Sequence, residues 1–229
     1  MSETPDQLIS YSDEDLTFFS LVYKNYDATV ECLRDLRTHY PNSNVILRSD
    51  GDPDPRFTHL RQSNLTFKLE PRLFPIEHGG AIIERMFVLF LEQPTPYLFK
   101  IDPDTVIHHR FKYLPTRSGI FGTLQCESES PSIQGGCMGF TRDVAEKILN
   151  SGMLRDNRLR TPHKFIDESP YFFRMADRVN RCGLASFDWI VPWIATELGI
   201  PIYAFDEVNS GWRMAPPNPN NRYAVTHPR

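Results

Sequence analysis

Cysteine is scarce and scattered in this chain. Cys32, Cys126, Cys137 and Cys182 form no CxxC pair, so neither a zinc cluster nor a disulfide scaffold is indicated, and reduced, mostly buried thiols are expected. A basic excess is lacking as well: the net charge is −4, which argues against a nucleic-acid binder. Long apolar runs are missing. A stretch such as Met86–Leu91 is far too short to span a bilayer, and the opening Met1-Ser-Glu-Thr-Pro-Asp-Gln7 is acidic and polar, unlike a secretory signal. The expectation is a soluble cytoplasmic protein, with peripheral contact to a membrane left open. Neither an internal repeat nor a linker-like boundary is visible, so 1–229 reads as one domain behind a polar lead-in over 1–15.

What is present is ordinary globular material, 40% apolar and 24% charged, with 16 Phe, 9 Tyr and 3 Trp, enough to bury a sizeable core. Leu16–Tyr23 is β-rich and mostly apolar and predicts a buried strand. Ala28–His39 carries Val30, Leu33 and Leu36 at helical spacing, with Asp27 placed to cap it. Val45–Arg48 and Leu65–Leu69 predict two further strands, Ala81–Glu92 a helix after His78-Gly79-Gly80, and Tyr97–Ile101 a fourth strand. Ser118–Leu124 predicts another strand and Arg142–Leu149 a helix. Arg155–Lys164 predicts a basic loop, Ser169–Arg181 and Asp188–Leu198 two helices, and Ile200–Phe205 a last strand. This alternation predicts an α/β fold with a mostly parallel central sheet flanked by helices, and ligand-binding loops at the carboxyl ends of its strands.

Asp102-Pro-Asp104 stands at such an end, directly after the apolar Tyr97–Ile101. Two carboxylates ending a buried strand are costly unless a cation meets them, and carboxylates with phosphate oxygens suit Mg²⁺ or Mn²⁺. The competing reading is a common exposed Asp-Pro-Asp turn. Asp50, past the end of the second predicted strand, is placed either to accept from ribose or base or to serve Ser49-Asp-Gly-Asp-Pro53 as a turn acid. Arg85 is a candidate donor to a diphosphate or an exposed helix residue. Gly135 and Gly136 permit either close backbone approach or a simple turn or bulge between two elements. Asp188, before an apolar helix, is a candidate general base or an ordinary helix cap, and Asp167 and Glu168 are its rivals. His78, His108 and His109 have no spacing that completes a site with the aspartates.

Leu98-Phe-Lys-Ile-Asp-Pro-Asp-Thr105 resembles the D-x-D strand of GT-A glycosyltransferases, the Rossmann-like enzymes that use nucleotide sugars. Ser20–Asn25, Arg48-Ser-Asp-Gly51, Gly79-Gly80 with Arg85, Gly135–Phe140 and Phe187–Ile200 resemble that family's remaining segments, in the same order over nearly the whole chain. The resemblance implies a nucleotide-diphosphate sugar donor held at Tyr23, Asp50, Arg85, Asp102 and Asp104. It implies a sugar or acceptor site at Gly135 and Gly136, and Asp188 as base in an inverting transfer to a glycan or other hydroxyl acceptor. It also implies a tail, 214–229, that returns His227 to the metal as a third ligand. The chain departs from the family at Phe187, where another acid often stands. Two other classes stay open: a nucleotidyltransferase, disfavoured because Tyr23-Lys-Asn-Tyr26 is no glycine-rich phosphate loop, and a non-catalytic carbohydrate-binding protein on the same fold.

Overall fold

The structure is a computed structural model that describes residues 7–8, 10–73, 75–126, 132–156, 159, 187–212 and 217–228. The predicted helix Ser169–Arg181 and most of the predicted loop Arg155–Lys164 lie outside these residues.

A short strand β1 (Gln7–Leu8) precedes β2 (Leu16–Val22), α1 (Tyr26–His39), β3 (Asn44–Ser49), β4 (Leu65–Lys68), α2 (Pro75–Leu91) and β5 (Tyr97–Ile101). Then come β6 (Val106–Ile107), β7 (Leu114–Pro115), β8 (Ile120–Cys126), β9 (Ser132–Thr141) and α3 (Arg142–Ser151). The chain closes with α4 (Phe187–Leu198), β10 (Ile202–Ala204), β11 (Val208–Trp212) and β12 (Val225–Pro228).

Seven strands form the central sheet in the order β10-β8-β9-β5-β2-β3-β4. β5, β2, β3 and β4 run parallel, as do β8 and β10, while β9 alone runs against its neighbours β5 and β8. This is the expected mostly parallel α/β sheet. Its strands alternate side chains between two faces, and both faces are covered. Phe19, Ile46, Leu98, Met138 and Phe140 pack on one face under α2, α3 and α4. Phe18, Leu47, Phe99 and Ile101 pack on the other under Leu33 and Leu36 of α1, together with Phe111, Phe205 and Val225. Fully burying a side chain of this size stabilises by roughly 1.5–3 kcal/mol, which is why near-continuous apolar strands were legible as central ones.

Local chemistry corrects three expectations. Asp27 does not cap α1. Asn25 precedes the helix and accepts the Tyr23 N–H (3.0 Å), while the Asp27 carboxylate pairs with Arg56 at 2.8 Å. The helix expected from Ala81 begins at Pro75, broken at His78 (φ −134°, ψ 27°), so the glycine pair 79–80 lies inside it. Gly135 and Gly136 make no turn between elements; they lie within β9, in the irregular stretch where its pairing with β8 slips from Met138 opposite Gly122 to Ile133 opposite Leu124. The lead-in is part of the fold: β1 pairs antiparallel with β7, the Tyr11 hydroxyl donates to Phe111 O (2.6 Å), and Asp13 pairs with Arg110.

A second sheet, β11-β12-β6, stands beside the first. β12 pairs parallel with β11 and antiparallel with β6, the strand that follows the Asp102–Asp104 turn. His108 fastens this return. Its ring lies 2.9 Å from Thr226 Oγ1, and its Nδ1 accepts the Asn218 N–H at 2.9 Å.

Candidate metal and transfer site

Because β2, β3 and β5 are parallel, Tyr23, Asp50 and the Asp102-Pro-Asp104 turn all leave the sheet at one edge, where open α/β sheets bind ligands. The turn is fixed against β9. The Asp102 N–H donates to Gly136 O (3.0 Å) and Thr105 Oγ1 (3.1 Å), and the buried Thr105 hydroxyl donates to Gly136 O (3.3 Å).

Into this turn β12 delivers His227. Its Nε2 lies 3.1 Å from Asp102 Oδ2 and 3.2 Å from Asp104 Oδ1. One ligand atom from each of the three residues lies within 4.8 Å of the others. Burial alone would lower the His227 pKa, but the two carboxylates outweigh it and raise it from 6.5 to about 9. Hydrogen bonding from His227 leads in holding Asp104 below the usual carboxylate range. For Asp102, burial pushes the pKa up, and Lys100 and His227 together pull it below its ordinary value. The imidazolium thus carries the positive charge that the paired carboxylates demand. Two carboxylate oxygens and one imidazole nitrogen on converging segments fit a divalent ion, and Mn²⁺ better than Mg²⁺.

Behind the turn lies a residue that the motif reading passed over. Lys100 is the one charged residue of β5, and its side chain is 6% exposed. Its ammonium donates to Asp102 Oδ1 and to Gly135 O and lies 5.1 Å from the Phe187 ring centre. A buried ammonium persists only when paired in this way. Its signal in the sequence was a single lysine inside an apolar strand.

Gly135 and Gly136 open opposite sides of β9 to two of the candidates. A Cβ on Gly135 would collide with Asp188 Oδ1, and one on Gly136 with the His227 ring. The Asp188 carboxylate thus lies directly against the Gly135 backbone. Asp188 opens α4, beside Phe187. Burial raises its pKa above the usual carboxylate value, against an opposing pull from Lys100.

The remaining candidates gather around β3. Asp50 is buried, and its Oδ1 accepts the Leu73 N–H (2.6 Å). The Tyr23 hydroxyl accepts from Arg72 (3.1 Å), whose guanidinium lies 4.5 Å from the Tyr23 ring centre. Arg85 Nε is bound to Glu70, and the same carboxylate accepts from the fully buried Arg48 at 2.9 Å. The sequence reading missed Glu70 and Arg48. Asp167 and Glu168 lie outside the described residues.

No family model matches the chain, and no curated protein matches it. Among solved structures it is similar to the mannosyltransferase PcManGT from Pyrobaculum calidifontis, solved in complex with GDP-Man and Mn²⁺. The two are 15% identical with a TM-score of 0.46, over 65% of this chain and 50% of that one, so the chain spans half the length of that enzyme.

Proposed function

We propose that the protein is a metal-dependent glycosyltransferase that moves a sugar from a nucleotide-diphosphate donor to a hydroxyl acceptor with inversion. The observation that carries this reading is the convergence of Asp102, Asp104 and His227 at the carboxyl edge of the parallel sheet, with a half-buried carboxylate, Asp188, seated on the adjoining strand segment at Gly135.

Asp102, Asp104 and His227 would hold the divalent ion, Mn²⁺ or Mg²⁺. When bound, it supplies positive charge against the diphosphate leaving group. Tyr23 and Asp50 take the nucleoside, and Arg85, its Nε held by Glu70, offers its terminal N–H groups to the phosphates. Asp188 accepts the proton of the acceptor hydroxyl as that oxygen attacks the anomeric carbon. Burial suits it to this work by raising its pKa toward the working range. Gly135 and Gly136 leave the backbone bare where donor sugar and acceptor meet, and they give Asp188 and His227 their places.

The test is release of nucleoside diphosphate from a panel of nucleotide sugars with Mn²⁺, with the product anomer read by NMR. Asp102→Ala or Asp104→Ala is expected to abolish metal-dependent donor binding, and full activity in either removes the metal assignment. Asp188→Asn is expected to bind donor at saturating Mn²⁺ and lose transfer by about 10²-fold or more. A variant that loses donor affinity instead, while substitutions of Asp167 or Glu168 lose turnover, assigns the base to that pair. Donor binding by calorimetry without any turnover identifies a carbohydrate-binding protein.

A further inference from the structure

Three carboxylates approach one another here, and only two of them are placed for the metal. Asp102 and Asp104 face His227. Asp188 packs against the Gly135 backbone, and the Gly135 carbonyl binds Lys100. The Lys100 ammonium also takes Asp102 Oδ1, which leaves Oδ2 on the His227 side. It lies against the ring of Phe187, the residue next to Asp188. A cation therefore already sits between the metal side and the base side, buried and hydrogen-bonded to both.

We propose that Lys100 is a built-in cation that partitions the three carboxylates, reserving Asp102 and Asp104 for a single divalent ion and keeping Asp188 out of its coordination. The inference rests on the transferase reading given above. Its physical basis is charge and reach. Three carboxylates and one ammonium leave two negative charges, which one divalent ion neutralises once His227 is uncharged. Without the ammonium, Asp102 Oδ1, the Gly135 carbonyl and the nearby Asp188 carboxylate would be oxygen ligands with no cation, a set that hard cations take up. A base recruited to metal would no longer accept a proton, so Lys100 is a positioning residue and not a group that touches substrate.

The test is Mn²⁺ titration by calorimetry on the full chain, which needs no donor and so is independent of turnover. Lys100→Met keeps the aliphatic length beneath Phe187. It is expected to bind a second Mn²⁺, or to bind one about tenfold or more tightly, because a like charge within a few ångströms of the site has been removed. Adding Asp188→Asn to Lys100→Met is expected to restore one Mn²⁺ at close to the original affinity. One Mn²⁺ bound by Lys100→Met with equal or weaker affinity overturns the proposal. Should Lys100→Met fail to fold, Asp188→Asn in the Lys100 background decides. There one Mn²⁺ is expected to bind at close to the native affinity, because Asp188 stands outside its coordination, and a loss of about tenfold or more overturns the proposal. A native chain that takes up no Mn²⁺ removes the metal reading and this inference with it. Native Mn²⁺ binding with the opposite Lys100→Met result removes the inference alone.

Discussion

At Gly136 the ring of His227 occupies the volume that any Cβ would need, and at Gly135 the Asp188 carboxylate does the same. The two alanine variants should therefore fail differently. Gly136→Ala pushes out His227, the proposed metal ligand, and is expected to weaken Mn²⁺ binding by about 10–100-fold, the range seen when a ligand loses its support. Gly135→Ala displaces Asp188, the proposed base, and is expected to lower kcat by about 10²-fold, as a misplacement near 1 Å does, with Mn²⁺ affinity little changed. Calorimetry and donor turnover on both variants check this, and identical losses would contradict it. His227 also gives the metal-free protein a pH signature. Its folded pKa of about 9 lies above the unfolded 6.5. Its ion pairs contribute fully below pH 6.5, and the contribution is lost as pH rises through 9. Thermal melts in chelator should show Tm falling across that window for the native chain, with the fall flattened in His227→Ala. Mn²⁺ affinity should rise over the same window, because ligation needs the neutral imidazole.

Between elements, Arg142 joins α3 to the end of α2. It opens α3, and its guanidinium donates to Leu91 O (2.9 Å), a carbonyl at the end of α2 that lacks a helical partner, and to Gln93 O (2.6 Å) and Thr95 O (3.3 Å) in the connection that follows. Arg142→Ala is expected to cost about 2 kcal/mol, the loss of charge-assisted bonds to part-buried carbonyls, measured by urea unfolding. A change below about 0.5 kcal/mol would place the arginine among ordinary surface residues. Elements of this kind were legible in the sequence wherever burial dictates composition: Leu16–Val22, Asn44–Ser49 and Tyr97–Ile101 are central strands and read as such. β9 was only half legible. Its glycines suggested a turn, because the close approach of Asp188 and His227 that requires them comes from residues about 50 and 90 positions away. Asp102 and Asp104 could be found from their place at a strand end. Lys100 was passed over because its partners, Gly135 and Phe187, become neighbours only through the antiparallel β9 and the docking of α4. Arg85 read as a bare phosphate donor because Glu70, fifteen residues upstream, gave no local sign of reaching it.

Across the whole molecule the site is a meeting of distant segments: the end of β5, the middle of β9, the start of α4, and β12 carried back by the second sheet. Both pairings of His227, with Asp102 and with Asp104, depend on that tertiary arrangement, so Mn²⁺ should bind the native state and have little affinity for the unfolded one. Linkage then makes the ion a stabiliser. At 100 times its dissociation constant it adds about 2.7 kcal/mol, which for a chain of this size raises Tm by about 5–10 °C. The shift should vanish in Asp102→Ala and shrink in His227→Ala. It should also vanish when 222–229 is removed, since β12 leaves with that segment while the seven-stranded sheet retains its strands. The truncated chain tests the division of labour between the two sheets. A cooperative melt with no Mn²⁺ response assigns the large sheet to stability and the small one to the metal. A truncated chain that still gains several degrees from Mn²⁺ would mean that the two aspartates hold the ion without the returning strand.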